Sequence, residues 1–252
     1  MPFDIECVRS RLPERRIDWH DSVTSTMAEA SLLAAQGCES GTAVGAEEQT
    51  AGQGRYGRSW HSAPGLGLYV SVVLRHRFAS TRLPLVTLAL GLSAAEAILK
   101  VTDLACDLRW PNDLLIHSKK CGGILTQLEG SSIIAGMGIN VNHEIFPREL
   151  SGFATSLRIA SGRMHSRERL LVELLGCVDS FCTLLEKEGP EPILRMFTCA
   201  SSFVYGRRVH VDLGDSVITG TTAGLNDSGF LILHGDDGND NVIVAGGVRP
   251  CS

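Results

Sequence analysis

The spacing of apolar residues predicts long helices and short strands through residue 200. Apolar residues recur every three or four positions over 85–101 and 167–185, as in an amphipathic helix, and Gly189-Pro190 ends the second run. A shorter helix is expected over 191–200. Runs of apolar, β-favouring residues predict strands at 68–74, 108–110, 114–116, 123–128 and 133–141. The pattern therefore predicts a mixed α and β fold with a sheet-rich middle.

A helix N-terminus is predicted near residue 26. Residues 26–29 read Thr-Met-Ala-Glu, the spacing of a capping box, in which the threonine and glutamate side chains bond to backbone amides of the first turn. The helical run that follows can close at Gly37. We therefore expect Ser25 and Thr26 at the start of a helix.

The sequence changes character after residue 203. Short strand-like runs alternate with turn sequences at 213–215, 226–229 and 235–238, so this part is expected to be all β. The remaining chain is too short for a large fold, and a small SH3-like β-barrel is the expected form. The 252 residues are thus predicted to be an α+β protein with a larger domain over 1–203 and a small one over 204–252.

Composition excludes several classes of function. The 28 acidic and 23 basic residues give a net charge of -5, without the run of Lys and Arg expected of a nucleic-acid binder. The uncharged apolar stretch 83–95 is shorter than the ~20 residues that span a bilayer, and residues 1–6 lack the pattern of a secretory signal. The cysteines are scattered, with no CxxC pair. We expect a cytoplasmic protein with reduced thiols, no membrane segment and no metal site.

Segment 49–60 carries the densest chemical signal. It reads Gln-Thr-Ala-Gly-Gln-Gly-Arg-Tyr-Gly-Arg-Ser-Trp, in which the glycines let the backbone approach a ligand. Arg55 and Arg58 offer planar donors to phosphate or carboxylate oxygens, and Trp60 could stack on a nucleobase. The alternative is a surface hairpin with solvated arginines and Trp60 in the core.

Three further motifs carry polar groups at strand ends. Residues 109–113 place an amide and a carboxylate at a strand-breaking turn, and residues 119–123 place lysine beside a glycine pair. Residues 136–142 put two asparagines on one face of a strand. The sequence has neither a P-loop motif nor a Gly-x-Gly-x-x-Gly motif that opens a helix, so a nucleotide must be held in another way.

These motifs, taken in order, resemble the biotin protein ligase family over nearly the whole chain. They are Ser25-Thr26, Gln49 with the 52–60 loop, 110–113, Lys120 with 122–125, 138–140 and the small C-terminal β domain. The resemblance implies a class II synthetase-like mixed-sheet catalytic domain that binds biotin and ATP, followed by an SH3-like barrel. It also implies a monofunctional ligase without a DNA-binding domain, because Ser25-Thr26 comes early in the chain.

The implied reaction has two steps and two substrates. Biotin and ATP give biotinyl-5'-AMP and pyrophosphate, and a lysine of a biotin carboxyl carrier protein, part of acetyl-CoA carboxylase or a related enzyme, then takes the biotin. Bringing a carboxylate to a triphosphate costs about 4 kcal/mol for each pair of unit charges at 4 Å and an effective dielectric of 20. Cations must offset this repulsion, and Mg²⁺ is expected on the phosphates. The sequence leaves the oligomeric state open, a homodimer included.

The resemblance also assigns residues. For biotin they are Ser25, Thr26, Met27, Gln49, Gly52, Gln53, Gly54, Arg55, Lys120 and Gly122. For ATP and the adenylate they are Arg55, Arg58, Trp60, Asn112, Lys120 and Asn140. The expected catalytic residues are Arg55, Lys120 and Asp113. Lys120 would contact both the biotin carboxylate and the α-phosphate, while Asp113 would either orient or deprotonate the acceptor lysine or cap the 111–112 turn.

Three positions depart from the common pattern of the family. Gln53 stands where arginine is usual, Met27 where asparagine often follows Ser-Thr, and Arg109 where lysine often precedes Trp-Pro-Asn-Asp. The first departure removes one cation, which predicts weaker retention of the adenylate. Two alternatives stay open: a lipoate ligase, which shares the fold, and a biotin-binding module without enzyme activity. Biotin-dependent exchange between ATP and pyrophosphate separates all three.

Overall fold

A computed structural model describes residues 3–75, 82–214 and 216–251. Seven strands form the large sheet: β1 (Ile17–Val23), β2 (Ala43–Gln49), β3 (Gly67–Leu74), β4 (Asp107–Arg109), β5 (Asp113–Ile116), β6 (Lys119–Glu129) and β7 (Ser132–Asn140). Their order in the sheet is β1-β2-β3-β7-β6-β5-β4. Strands β1 and β2 are parallel and the other pairs are antiparallel, so the expected mixed sheet is confirmed.

The helices are α1 (Ile5–Arg11), α2 (Thr26–Ala35), α3 (Leu83–Thr102), α4 (Leu157–Ser161), α5 (Arg167–Glu188) and α6 (Pro190–Cys199). The three helices predicted from periodicity are confirmed as α3, α5 and α6. The pattern missed α1, α4, β1 and β2. Helix α1 has Val8 as its single buried residue, and α4 has Leu157, so neither shows an apolar period.

The start of α2 is confirmed, but the predicted capping box is wrong. The N-cap residue is Ser25, with no side-chain hydrogen bond to the helix, and Thr26 is the first helical residue. The Thr26 hydroxyl instead bonds to Gln49 and Ser71 on neighbouring strands. Tertiary partners therefore compete successfully for the hydroxyl that the local pattern assigns to the helix end.

The large sheet is covered on both faces. Val70 and Val72 of β3 pack into the main core with α3 and α5, whereas Val73 and Ile134 pack with α2 on the opposite face. All eight residues of β3 are buried, which explains why its sequence, apart from Ser71, does not alternate between apolar and polar residues. One face is thus a broad hydrophobic core, and the other carries α2 over only part of the sheet.

Helix α3 is the central helix of this core. By length and composition it is apolar enough to cross a membrane, with a mean hydropathy of 1.6, but 72% of that window is buried inside the fold. The helix is longer than the uncharged stretch 83–95, because it continues past Glu96 to Thr102. It packs against α5, α6 and the sheet, as the core helix of a globular domain does.

The C-terminal part forms a separate antiparallel sheet of five strands. They are β8 (Tyr205–Asp212), β9 (Val217–Leu225), β10 (Leu231–Gly235), β11 (Asp240–Ile243) and β12 (Gly247–Pro250), in the order β11-β10-β9-β8-β12. The all-β prediction is confirmed, while closure into an SH3-like barrel and a boundary at 203/204 stay predictions. The two sheets share one hydrophobic core, and Trp110 Nε1 donates to the carbonyl of Gly229 at 2.9 Å.

Candidate active site

A cavity of about 570 Å³ opens between the two sheets, beside the N-terminus of α2. Strands β6 and β7 form its floor. Its walls are the glycine-arginine loop (residues 50–62), the β4–β5 turn and residues 246–250 of the C-terminal part. The cavity therefore lies on the same face of the large sheet as α2, over the part of that face that α2 does not cover.

Glycines shape the floor of the cavity. Gly136 and Gly138 lie on one face of β7, and Gly123 of β6 is the register partner of Gly138. A Cβ at Gly138 would lie 2.5 Å from Trp60 Cε2, and one at Gly123 would lie 3.3 Å from Trp60 Cζ3. A Cβ at Gly136 would collide with Met27 Sδ. Because these glycines have no side chains, the floor has a slot that holds the side chains of Trp60 and Met27.

One end of the cavity is a polar network. The amide and hydroxyl of Thr26 donate to Gln49 Oε1 at 2.9 and 3.1 Å, and Gln49 Nε2 donates to Ser62 Oγ at 2.9 Å. The Thr26 and Ser71 hydroxyls are 2.8 Å apart. Within the described chain, the buried Ser25 Oγ has no hydrogen-bond partner. Such a hydroxyl is costly without a partner and suits a polar ligand group.

The cavity is strongly basic. Among the described lining residues the cations are Arg55, Arg58, Arg109, Lys120 and Arg249, and the single carboxylate is Asp113. Lys120 Nζ lies 2.5 Å from Asp113 Oδ1, and Arg109 Nη2 lies 2.6 Å from Oδ2. Burial opposes ionisation of Asp113, but Lys120 and Arg109 outweigh it and hold its pKa below the usual value. Asp113 is therefore ionised at neutral pH and cancels charge on two cations.

Arg55 forms no ion pair within the described part of the chain, and the charge of Asp113 acts on it only from a distance. Its Nη1 donates to Asn112 Oδ1 at 3.1 Å and to the carbonyl of Gly246 at 3.2 Å, and its Nη2 donates to the Tyr56 hydroxyl at 2.9 Å. All three acceptors are neutral. Burial lowers the pKa of Arg55, yet a guanidinium stays protonated in proteins. Its uncancelled positive charge makes Arg55 the cation best suited to an anionic ligand.

Trp60 and Arg58 complete the glycine-arginine loop. The amide of Trp60 donates to the carbonyl of Gly52 at 2.8 Å, and its ring centroid lies 5.4 Å from Lys120 Nζ. The buried Trp60 Nε1 has no partner within the described chain. Arg58 is 63% exposed, and its Nη2 lies as far as 3.9 Å from Asp212 Oδ2, so this ion pair contributes little to stability.

The cavity brings together most residues that the sequence assigned to ligands. Those that line it are Ser25, Thr26, Met27, Gln49, Gln53, Gly54, Arg55, Arg58, Trp60, Asn112, Asp113, Lys120 and Asn140. Gly52 and Gly122 do not line it: a Cβ at Gly52 would meet the carbonyl of Trp60, and one at Gly122 would meet Leu114. Asn140 is buried and donates to the carbonyl of Thr155 at 3.1 Å. The roles of these residues stay predictions.

Sequence reasoning missed several contacts at the site. The pairing of Arg109 with Asp113 had a signal, because the short turn between β4 and β5 places the two residues opposite each other. The contact of Arg55 with Gly246 had none, since 191 positions separate them. Tyr56, another partner of Arg55, lies in a loop without periodicity.

Comparison with known proteins shows the family of the chain. Residues 19–143 match the Biotin/lipoate A/B protein ligase family, and residues 204–248 match the Biotin protein ligase C terminal domain. The bifunctional ligase/repressor BirA of Bacillus subtilis is 32% identical over 245 residues, which cover 94% of this chain and 75% of that protein. The biotin--[acetyl-CoA-carboxylase] ligase of Mycobacterium tuberculosis is 30% identical over 92% of this chain and 88% of its own.

A solved structure shares the fold. The biotin protein ligase of Aquifex aeolicus, in complex with biotin and ATP, superposes with a TM-score of 0.85 and 30% identity, covering 94% of this chain and 99% of that one. The fold and the basic cavity thus define an ATP-dependent ligase of the biotin and lipoate class. The chain belongs to the biotin protein ligase family. It activates biotin with ATP to biotinyl-5'-AMP and transfers the biotin to a lysine of a biotin carboxyl carrier protein.

Proposed function

We propose that both steps of the ligase reaction take place in the cavity between the two sheets, with Arg55 as the main cation for the substrates. The observation that carries this proposal is that, among the residues the structure describes, the hydrogen-bond acceptors of the Arg55 guanidinium are all neutral. Biotin binds at the polar end formed by Ser25, Thr26 and Gln49, where the unpartnered Ser25 hydroxyl accepts or donates a hydrogen bond to the ureido group. The adenylate lies towards Trp60.

In the first step, a carboxylate oxygen of biotin attacks the α-phosphorus of ATP. An O–P bond forms, the bond to the β-phosphate oxygen breaks, and pyrophosphate leaves with the electron pair. No proton is transferred, because the carboxylate is already ionised. The Lys120 ammonium lies 2.5 Å from Asp113 Oδ1 and has further N–H donors for substrate oxygens, so the proposal assigns Asp113 to holding the ammonium in place.

In the second step, the neutral amine of the carrier lysine attacks the carbonyl carbon of biotinyl-5'-AMP, the bond from that carbon to the phosphate oxygen breaks, AMP leaves with the electron pair, and the new amide nitrogen loses its proton to solvent water. Asp113 is a poor base for that proton because Lys120 and Arg109 depress its pKa. We therefore propose that Asp113 accepts hydrogen bonds and orients ammonium groups, rather than deprotonating the acceptor.

Mg²⁺ is proposed to enter with ATP. In the described part of the cavity the one carboxylate, Asp113, is bound to two cations, so the chain offers no set of carboxylate ligands to a magnesium ion. Phosphate oxygens and water would hold Mg²⁺ instead, as is common for this ion. The residues of this chain thus bind the substrate carboxylate and phosphates directly.

Further features of the enzyme belong to the same proposal. We propose a cytoplasmic enzyme that does not bind nucleic acid; the acidic balance of the chain supports the second of these two features. A homodimer would join through an edge of the large sheet, where β1 and β4 are the outer strands. The small C-terminal sheet is proposed to be an SH3-like barrel. Sedimentation velocity with and without biotin measures the oligomeric state.

Biotin-dependent exchange of labelled pyrophosphate into ATP tests the function. We expect exchange with biotin and none with lipoate. Lys120→Ala should reduce the exchange rate about 100-fold or more, because it removes a cation that contacts the developing charge. The matched control is Lys119→Ala, an exposed lysine that does not line the cavity and should stay within twofold of the parent. Near-normal exchange by Lys120→Ala would overturn its assignment.

A further inference from the structure

Tyr56 has a backbone conformation that is rare for a residue with a side chain. Its φ of 58° and ψ of 34° lie in the left-handed region, next to Gly57 at φ 70°. In an extended chain, consecutive side chains point to opposite faces. The left-handed turn at Tyr56 instead brings its ring onto the side chain of the preceding residue, Arg55.

The two side chains make two kinds of contact. Arg55 Cζ lies 4.8 Å from the centroid of the Tyr56 ring, and Arg55 Nη2 donates to the Tyr56 hydroxyl at 2.9 Å. The electron-rich face of the ring attracts the guanidinium, and the hydroxyl oxygen accepts a hydrogen bond from it. Neither contact cancels the positive charge, as an aspartate or glutamate at this position would.

Two other parts of the fold hold the opposite side of the guanidinium. Asn112 belongs to the β4–β5 turn, and Gly246 precedes β12 of the C-terminal sheet; both accept from Nη1. Arg55 is therefore fixed between three neutral partners, of which Tyr56 alone comes from the loop that carries Arg55. A long side chain that is already ordered loses less entropy when it binds a ligand.

We propose that Tyr56 is a positioning residue, which holds the Arg55 guanidinium in the cavity so that its charge meets the carboxylate and phosphate oxygens of the substrates. This inference rests on the proposed role of Arg55. Tyr56 itself is 60% exposed and acts through Arg55 rather than on the reacting atoms. Loss of the tyrosine should therefore weaken retention of the adenylate more than it weakens the fold.

The test uses two substitutions of Tyr56 and one control. Tyr56→Phe removes the hydroxyl and keeps the ring, while Tyr56→Leu removes both contacts. The control is Tyr205→Phe on β8, a tyrosine that is 73% exposed and does not line the cavity. The full-length chain is assayed for dissociation of biotinyl-5'-AMP and for kcat and KM in pyrophosphate exchange. We expect dissociation to rise about 3- to 10-fold in Tyr56→Phe and further in Tyr56→Leu, with unchanged thermal unfolding.

A double-mutant cycle with Arg55→Ala tests whether Tyr56 acts through Arg55 or independently of it. If Tyr56 acts through Arg55, Tyr56→Phe changes adenylate dissociation less than about twofold in the Arg55→Ala background. Wild-type dissociation in both Tyr56 variants, or the same change in both backgrounds, would overturn the inference. Normal exchange and normal dissociation in Arg55→Ala would instead refute the proposed role of Arg55.

Discussion

Replacing Gly138 by alanine should move Trp60 and weaken ATP binding. The new Cβ would lie 2.5 Å from Trp60 Cε2 and 2.7 Å from Nε1, whereas carbon atoms in favourable contact are ~3.5 to 4.0 Å apart. The indole must therefore withdraw by about 1 Å or more. Strand β7 cannot yield instead, because Gly138 pairs with Tyr69 on one side and Gly123 on the other.

The size of the effect follows from the role proposed for Trp60. Stacking of a base on an aromatic side chain contributes ~1 to 3 kcal/mol, which corresponds to about 5- to 150-fold in affinity. We expect the KM for ATP in pyrophosphate exchange to rise within this range in Gly138→Ala, while the KM for biotin changes less. Quenching of Trp60 fluorescence by ATP provides a second measurement.

Two further glycines serve as graded controls. Gly123→Ala places its Cβ at 3.3 Å from Trp60, so the displacement of Trp60 and the rise in the KM for ATP should be smaller than in Gly138→Ala; the same Cβ lies 3.2 Å from Lys120 Nζ, so any change in kcat reports on Lys120 instead. Gly176 lies within α5 with nothing within 4 Å of a built Cβ, so Gly176→Ala should leave both KM values unchanged and stabilise the fold by about 0.5 to 1 kcal/mol. A folded Gly138→Ala variant with a KM for ATP within twofold of the parent would refute the reasoning.

Three other substitutions test charge at and near the site. Asp113→Asn leaves Lys120 and Arg109 without their carboxylate. Because these partners are partly exposed, we expect the free energy of unfolding, measured by urea denaturation, to fall by about 1 to 3 kcal/mol. An unchanged urea midpoint would contradict this. Burial lowers the pKa of His143 to about 4, so the unfolded chain binds a proton there near pH 6.5 and the folded chain does not. Stability should therefore fall by about 2 kcal/mol between pH 7 and pH 5, and this part of the fall should be absent in His143→Phe; parallel pH profiles would count against the assignment. Gln53→Arg adds a cation to the glycine-arginine loop and should slow adenylate dissociation, so unchanged or faster release would argue against the charge explanation.

The local elements and the motifs were predictable because their signals lie close together in the chain. Helices α3 and α5 follow from apolar residues at helical spacing, and Gly189 ends α5 as its position predicts. The ordered motifs from Ser25 to Asn140 were sufficient to indicate the family. The short elements α1 and α4 were missed because each buries too few apolar residues to show a period.

The sequence by itself indicated the order of most helices and strands, the family, and a set of ligand residues of which all but Gly52 and Gly122 line the cavity. Tertiary structure alone decided their contacts. The Thr26 hydroxyl forms hydrogen bonds with Gln49 and Ser71 on neighbouring strands instead of capping its helix. Asp113 pairs with two cations, and Arg55 donates to the carbonyl of Gly246 in the C-terminal part. Propensity and periodicity act over a few neighbouring residues, whereas hydrogen bonds and charges respond to whichever groups the packed fold brings within a few ångströms. That difference explains why Arg55 and Lys120 were visible in the sequence as cations of the site, whereas the pairing of Lys120 with Asp113 and the neutral partners of Arg55 were not.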